Sequence, residues 1–175
     1  MINTASIKAR FKHPVLFAIV LIEGYVILSY EVLAIRLAMP FVGSGVHTSA
    51  IIIAAVLLPL SYGYYRGGIY TRKKRKRWQR SGYRAKILRN FAYASPLLLA
   101  GSSYIFVKHL FDFLQETLNI SWLPALFIYS FVVVAPPVYW LAQTVPLVGQ
   151  FFRREKLPVF TGKILFISTI GSLLG

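Results

Sequence analysis

Apolar residues fall in long, nearly uninterrupted stretches separated by short polar segments. That pattern predicts membrane-crossing helices and no alternating strands. Pro14 to Ala38 is the first stretch, interrupted only by Glu23, Glu31 and Arg36. Its 25 positions would reach about 37 Å as a helix, more than the roughly 30 Å hydrocarbon core. A signal peptide would have a shorter apolar region and no acids, so a retained helix is expected. Thr48 to Tyr65 is the second stretch. It contains the run AIIIAAVLLPL and ends with Tyr62, Tyr64 and Tyr65, where an aromatic belt belongs. Phe91 to Phe111 is the third, with Pro96 and Gly101 inside it. Trp122 to Val145 is the fourth, with Pro136-Pro137 near its middle. Prolines inside a span free backbone carbonyls, so Pro59, Pro96 and Pro136-Pro137 are read as kinks that shape packing or as breaks lining a solute path.

The chain ends on a shorter apolar run. After Lys163 there are 12 residues, Ile164 to Gly175, about 18 Å of helix and too little to cross. A helix beginning near residue 160 is therefore expected to be a truncated or half fifth span. The expected architecture is all-α. It is a single helical membrane domain over residues 1–175, with spans near 14–38, 48–65, 91–111 and 122–145, a partial helix over 160–175 and a basic loop over 66–90.

Composition and charge fit this reading. Hydrophobic residues make up 57% and charged residues 14%, with a mean hydropathy of +0.61. A soluble domain carries about 25% charged residues to cover its surface. Cysteine is absent, which excludes disulfides and thiolate metal sites. The net charge is +15, and its distribution carries orientation. The N-terminal tail holds Lys8, Arg10 and Lys12, Arg66 to Arg89 holds eleven basic residues and no acid, and Arg153 to Lys163 holds four. Lys108 is the only basic residue on the other side of alternating spans, and Arg36 lies at a span end. Eighteen against one places the N-terminus and both basic loops in the cytoplasm.

Catalytic signatures are sparse. Asp112 is the only aspartate, so a two-aspartate intramembrane protease is excluded unless a glutamate substitutes. His13, His47 and His109 have no metal-ligand spacing, and no phosphate-cradling glycine motif is present. His109 and Asp112, three apart, can meet on a helix two turns beyond Ser102 and Ser103, which reads as an interfacial cluster. No catalytic residue, cofactor or metal site is therefore expected. The run Arg72, Lys73, Lys74, Arg75, Lys76, Arg77 is flanked by spans. It reads as a topology signal and a contact for anionic lipids, at about 1 kcal/mol per residue, and not as a nucleic-acid patch.

Glu23, Glu31 and Arg36 are the candidate intramembrane polar site. A charged group inside a bilayer costs several kcal/mol or more, so each should face protein or water. Glu31 and Arg36 are five apart, about 140° around a helix, so each should contact another helix. Two outcomes stay open: pairing with Tyr30, Gln143 or Thr144 to fix packing, or a cation or proton site. Gly63 with Gly67, and Gly171 with Gly175, have the four-residue spacing that permits close helix packing.

Several segments together match one pattern. They are Tyr30-Glu31-Val32-Leu33-Ala34-Ile35-Arg36-Leu37 followed by Gly43-Ser44, then Gly63-Tyr64-Tyr65-Arg66-Gly67-Gly68, then Thr144-Val145-Pro146-Leu147, and finally Gly162 to Gly175 with Thr169-Ile170-Gly171. In this order the chain resembles the membrane-spanning region of spermidine-synthase-like proteins, which precedes an aminopropyltransferase-type domain. Ile170 replaces the leucine usual in that family, and the long basic run departs from it. The resemblance implies a multi-pass inner-membrane unit that anchors a following cytoplasmic domain or feeds it a small cation such as a polyamine. Any aminopropyl transfer would need that soluble domain. Only Glu31, Arg36 and the glycines map onto the pattern, and no role transfers with them. The alternative is a small oligomeric transporter or channel subunit for a cationic solute.

Overall fold

The computed structural model describes residues 12–74, 80–149 and 157–175. Among them every regular element is helical. Helix α1 is Lys12–Val42, α2 is Val46–Lys74, α3 is Arg80–Ser102 and α4 is Tyr104–Asp112. Helix α5 runs over Trp122–Gly149 and α6 over Leu157–Leu174. Three helical stretches are long and apolar enough to cross a membrane: Pro14–Val42, Val46–Ile69 and Trp122–Gly149. The pair formed by Arg84–Ser102 and Tyr104–Thr117 makes a fourth if it counts as one span.

That pair corrects the expectation of a continuous helix over 91–111. The chain bends by 72° between α3 and α4. Neither Pro96 nor Gly101 is the break, since both lie inside α3. Ser103 is extended (φ −83°, ψ 117°), and its hydroxyl accepts from the Phe106 N–H at 3.5 Å, capping a new helix. The basic loop over 66–90 is also shorter than expected, because α2 continues to Lys74 and α3 begins at Arg80. Lysine and arginine are good helix formers, so the backbone continues as helix into the basic segment. Arg75, Lys76 and Arg77 lie outside the described residues.

The turn between α1 and α2 is tight. Gly43 takes φ +84°, a left-handed conformation that glycine adopts without strain, and its N–H closes α1 on Met39 O at 2.9 Å. Thr48 Oγ1 then donates to Gly43 O at 3.0 Å. Helix α5 contains a π-helical segment, Tyr129–Val134, directly before Pro136-Pro137. In an α-helix the Pro137 nitrogen would serve Val133 O, but proline has no N–H to give. Tyr30 Oη donates to that carbonyl instead, at 3.4 Å.

Contacts fix the relative directions of the helices. Gly101 of α3 faces the Tyr30 hydroxyl of α1, whereas Ile87 packs in one cluster with Val20. Both α1 and α3 therefore run the same way. Leu147 and Val148 join that Val20 cluster while Val133 meets Tyr30, so α5 runs opposite to α1. Gly63 approaches Tyr139 and Ala142 and Gly67 approaches Gln143 and Pro146, so α2 runs with α5. Gly171 lies against Leu21 O and Gly175 against Tyr25 O, so α6 runs with α1. The outward surface is apolar, with Leu58 59%, Leu99 74%, Ile105 68%, Val132 62% and Phe166 66% exposed. An apolar exterior of this extent is costly in water and natural in lipid.

Candidate functional site

A layered interior follows from these directions. One apolar layer consists of Val20 (α1), Ile87 (α3), Leu147 and Val148 (α5) and Ile164 (α6). One helical turn further toward Tyr30 stand Glu23 on α1 and Asn90 on α3, each three residues beyond its member of that layer. Helix α5 runs the other way, so Thr144, three residues before Leu147, reaches the same level. Tyr64 of α2 lies within electrostatic reach of Glu23. It follows Gly63, which packs against Tyr139 and Ala142 of α5.

This polar layer is buried and unsatisfied. Glu23 is 1% exposed, and Asn90 and Thr144 are fully buried. Both carboxyl oxygens of Glu23, both side-chain amide atoms of Asn90 and the Thr144 hydroxyl lack hydrogen-bond partners. An orphaned buried polar group costs about 1–3 kcal/mol, and an unpaired buried charge costs more. Three such residues at one level of the bundle form a ready set of oxygen donors. Carboxylate, amide carbonyl and hydroxyl oxygens suit hard or protonated cations. Among the described residues no group of three His, Cys, Asp or Glu side chains could hold a metal ion.

The other members of the sequence-derived set are not brought to this layer. Glu31 is half-buried and Arg36 is exposed. Among the described residues, no hydrogen bond joins either of them to Tyr30, Gln143 or Thr144. Of the partners considered for them, Tyr30 is engaged with Val133 O and Gln143 Nε2 donates to Tyr139 O at 3.5 Å. Thr144 belongs with Glu23 by level. Among the lipid-contact candidates, Arg72, Lys73 and Lys74 close the helical end of α2, and Arg75, Lys76 and Arg77 lie outside the described residues. His109 is exposed on α4, and Ser103 is occupied as the helix cap.

Asn90 is inconspicuous in the sequence because it adjoins Arg89 at the end of the basic segment. Its signal was its place three residues after Ile87, on the inward face of an apolar helix. A second polar group lies further along the bundle, where the Tyr129 hydroxyl and Ser130 Oγ are buried without partners in the π segment. Single-turn π segments recur at functional positions.

No protein-family model, curated protein or solved structure matches the chain.

Proposed function

We propose that this chain is a non-enzymatic, multi-pass membrane module that holds a small cation or a proton at Glu23. The observation that carries the reading is a carboxyl group 1% exposed with no partner on either oxygen. In a bilayer interior such a group is tolerated when a proton or a counter-cation neutralises it. Asn90 and Thr144 supply further unpartnered oxygens at the same level. The proposed topology has four crossings, the bent α3–α4 pair being one, with α6 entering as a fifth from the cytoplasmic side. Alternating helix directions and the eighteen-to-one basic bias support a cytoplasmic N-terminus in a plasma membrane.

The resemblance to the membrane region of spermidine-synthase-like proteins supports a role in anchoring a cytoplasmic domain or passing a small cation to it. That support rests on the residue patterns alone. One observation favours the transporter reading instead. The 72° break at Ser103 and the π segment of α5 are the interruptions found in helices that line solute paths.

The test compares the parent with Glu23→Gln, both purified as full chains in lipid nanodiscs. Thermal midpoints are read against sodium, potassium and a linear diamine at fixed ionic strength, with the infrared carboxylic C=O stretch read in parallel. A bound cation at 100 times its Kd stabilises by about 2.7 kcal/mol. The parent should show either this cation response or a protonated-carboxyl band, and Glu23→Gln should lose it. If both proteins respond alike, Glu23 serves packing alone. Cation flux into proteoliposomes that Glu23→Gln abolishes would assign the module to transport.

A further inference from the structure

The bend at Ser103 divides the third crossing unequally. Helix α3 has 23 residues, about 34 Å of rise, enough to cross the hydrocarbon core unaided. The chain then turns away by 72°. Helix α4 and the π segment Phe113–Thr117 that continues it run across the end of α1. Tyr104 and Phe111 both meet the Phe41 ring, at 6.3 and 4.9 Å between centroids, and Gln115 Nε2 donates to Phe41 O at 3.4 Å. Phe41 belongs to the last turn of α1. Three turns of the new segment thus stay at the level of one residue, as they do when a helix lies crosswise.

Its side chains sort into faces. Val107, Phe111 and Leu114 are buried against the bundle. Opposite them His109, Asp112 and Glu116, three and four residues apart, share a polar ridge on which His109 and Glu116 are exposed. Phe106 and Phe113, seven apart on one flank, are 41% and 52% exposed. Tyr104 and Lys108, four apart on the other flank, are exposed as well. Four ionisable residues between Lys108 and Glu116 make a continued descent through hydrocarbon costly. Open phenylalanine rings are equally ill suited to bulk water. A headgroup layer suits both, with the aromatic flank in the acyl boundary and the ridge in water.

We infer that Tyr104–Thr117 is an interfacial helix seated on the outer face of the bilayer, with the crossing made by α3 alone. The inference rests on the membrane reading above and narrows its bent third crossing to one helix. The partner is the glycerol and headgroup layer. Phe106 and Phe113 enter it from one flank, and Tyr104 and Lys108 anchor the other, as tyrosine and lysine do at membrane boundaries. Phe111 also contacts the buried Tyr129 ring at 5.4 Å, so the surface-bound segment packs directly onto the interior of the bundle.

The chain has no cysteine, so single nitroxide labels report depth in the full chain in nanodiscs. Depth is read from collisions with oxygen and with a water-soluble nickel chelate. Labels on Phe106→Cys, Phe113→Cys, His109→Cys and Glu116→Cys are compared with one on Leu99→Cys, a position of α3 that is 74% exposed. Seven residues advance about 10 Å along a helix, which becomes about 3 Å of depth when the helix lies 72° from the crossing direction. Expected are shallow lipid positions at Phe106 and Phe113 that differ by about 3 Å, aqueous positions at His109 and Glu116, and a deep position at Leu99. A difference of about 10 Å between Phe106 and Phe113 would show a helix that continues the crossing. Labels at both sites that neither reagent reaches would show a protein cover, and labels reached only by nickel would show a segment standing off the membrane. Each of these overturns the inference, and with a deep Leu99 label each leaves the membrane reading in place. An aqueous Leu99 label would overturn that reading and the inference together. The Glu23 comparison is scored separately, since none of these labels touches its layer.

Discussion

Two neighbouring residues of α1 open onto regions built on opposite terms. Gly24 faces α6, and there the helices touch backbone to backbone. A Cβ on Gly24 would collide with Ser168 O and stand 3.1 Å from Ser172 N. Ser172 Oγ donates to Gly24 O at 3.3 Å, and Ser29 Oγ donates to Gly175 O at 3.4 Å. Glu23, about 100° around the same helix, faces the layer of Asn90 and Thr144, where polar side chains are buried and unmatched. The seam with α6 leaves no space for a ligand and no demand for one. The Glu23 layer instead leaves the polar atoms of three buried side chains without hydrogen-bond partners. Close small-residue contact and retained polar groups are the two ways in which helices associate where water gives no hydrophobic drive.

The largest expected effect breaks the seam. Gly24→Leu should force α1 and α6 apart and cost about 3 kcal/mol, read as loss of folded chain in mixed-micelle denaturation. An undisturbed unfolding midpoint would mean that the α1–α6 seam does not hold the bundle together. A smaller change of opposite sign is expected in the polar layer. Glu23→Leu removes an orphaned carboxyl and should stabilise the chain by about 1–2 kcal/mol in cation-free buffer. Destabilisation there would show that the carboxyl already has a partner. The smallest effect sharpens the contrast with a satisfied polar contact. Tyr30→Phe loses one long hydrogen bond to Val133 O and should cost about 0.6 kcal/mol, the typical value for such bonds between membrane helices. A loss above 2 kcal/mol would place Tyr30 in a larger network with Tyr129.

The apolar stretches were legible because length and hydropathy are local properties. Three of the five expected helical regions lie inside observed helices and a fourth, 160–175, overruns its helix by one residue, while the glycine pairs 63/67 and 171/175 both face a neighbouring helix. The break at Ser103 was not legible, since Pro96 and Gly101 are stronger breakers by composition and neither breaks the helix. Gly101 is spent on admitting the Tyr30 ring. Glu23 stood out as an acid within an apolar run, but Glu31 stood out equally. What separates them is rotation about α1. Glu23 turns inward toward α2, α3 and α5, whereas Glu31, eight residues later, sits about 80° further round. Its companions Asn90 and Thr144 are ordinary polar residues until helix direction brings them to one level.

The π segment of α5 sets a rotational phase. A π turn amounts to one extra residue wound into an α-helix, which turns everything beyond it by about 100°. The residues after Val134 therefore present a different face from the one an uninterrupted helix would present. That offset decides which side chain of α5 meets Glu23. Were the same sequence wound as an α-helix throughout, the place of Thr144 would pass to Gln143. Deleting one residue within Tyr129–Val134 should close the wide turn into an ordinary α-helix and leave Thr144 where it is, whereas forcing the full sequence into an unbroken α-helix would rotate the whole second half of α5.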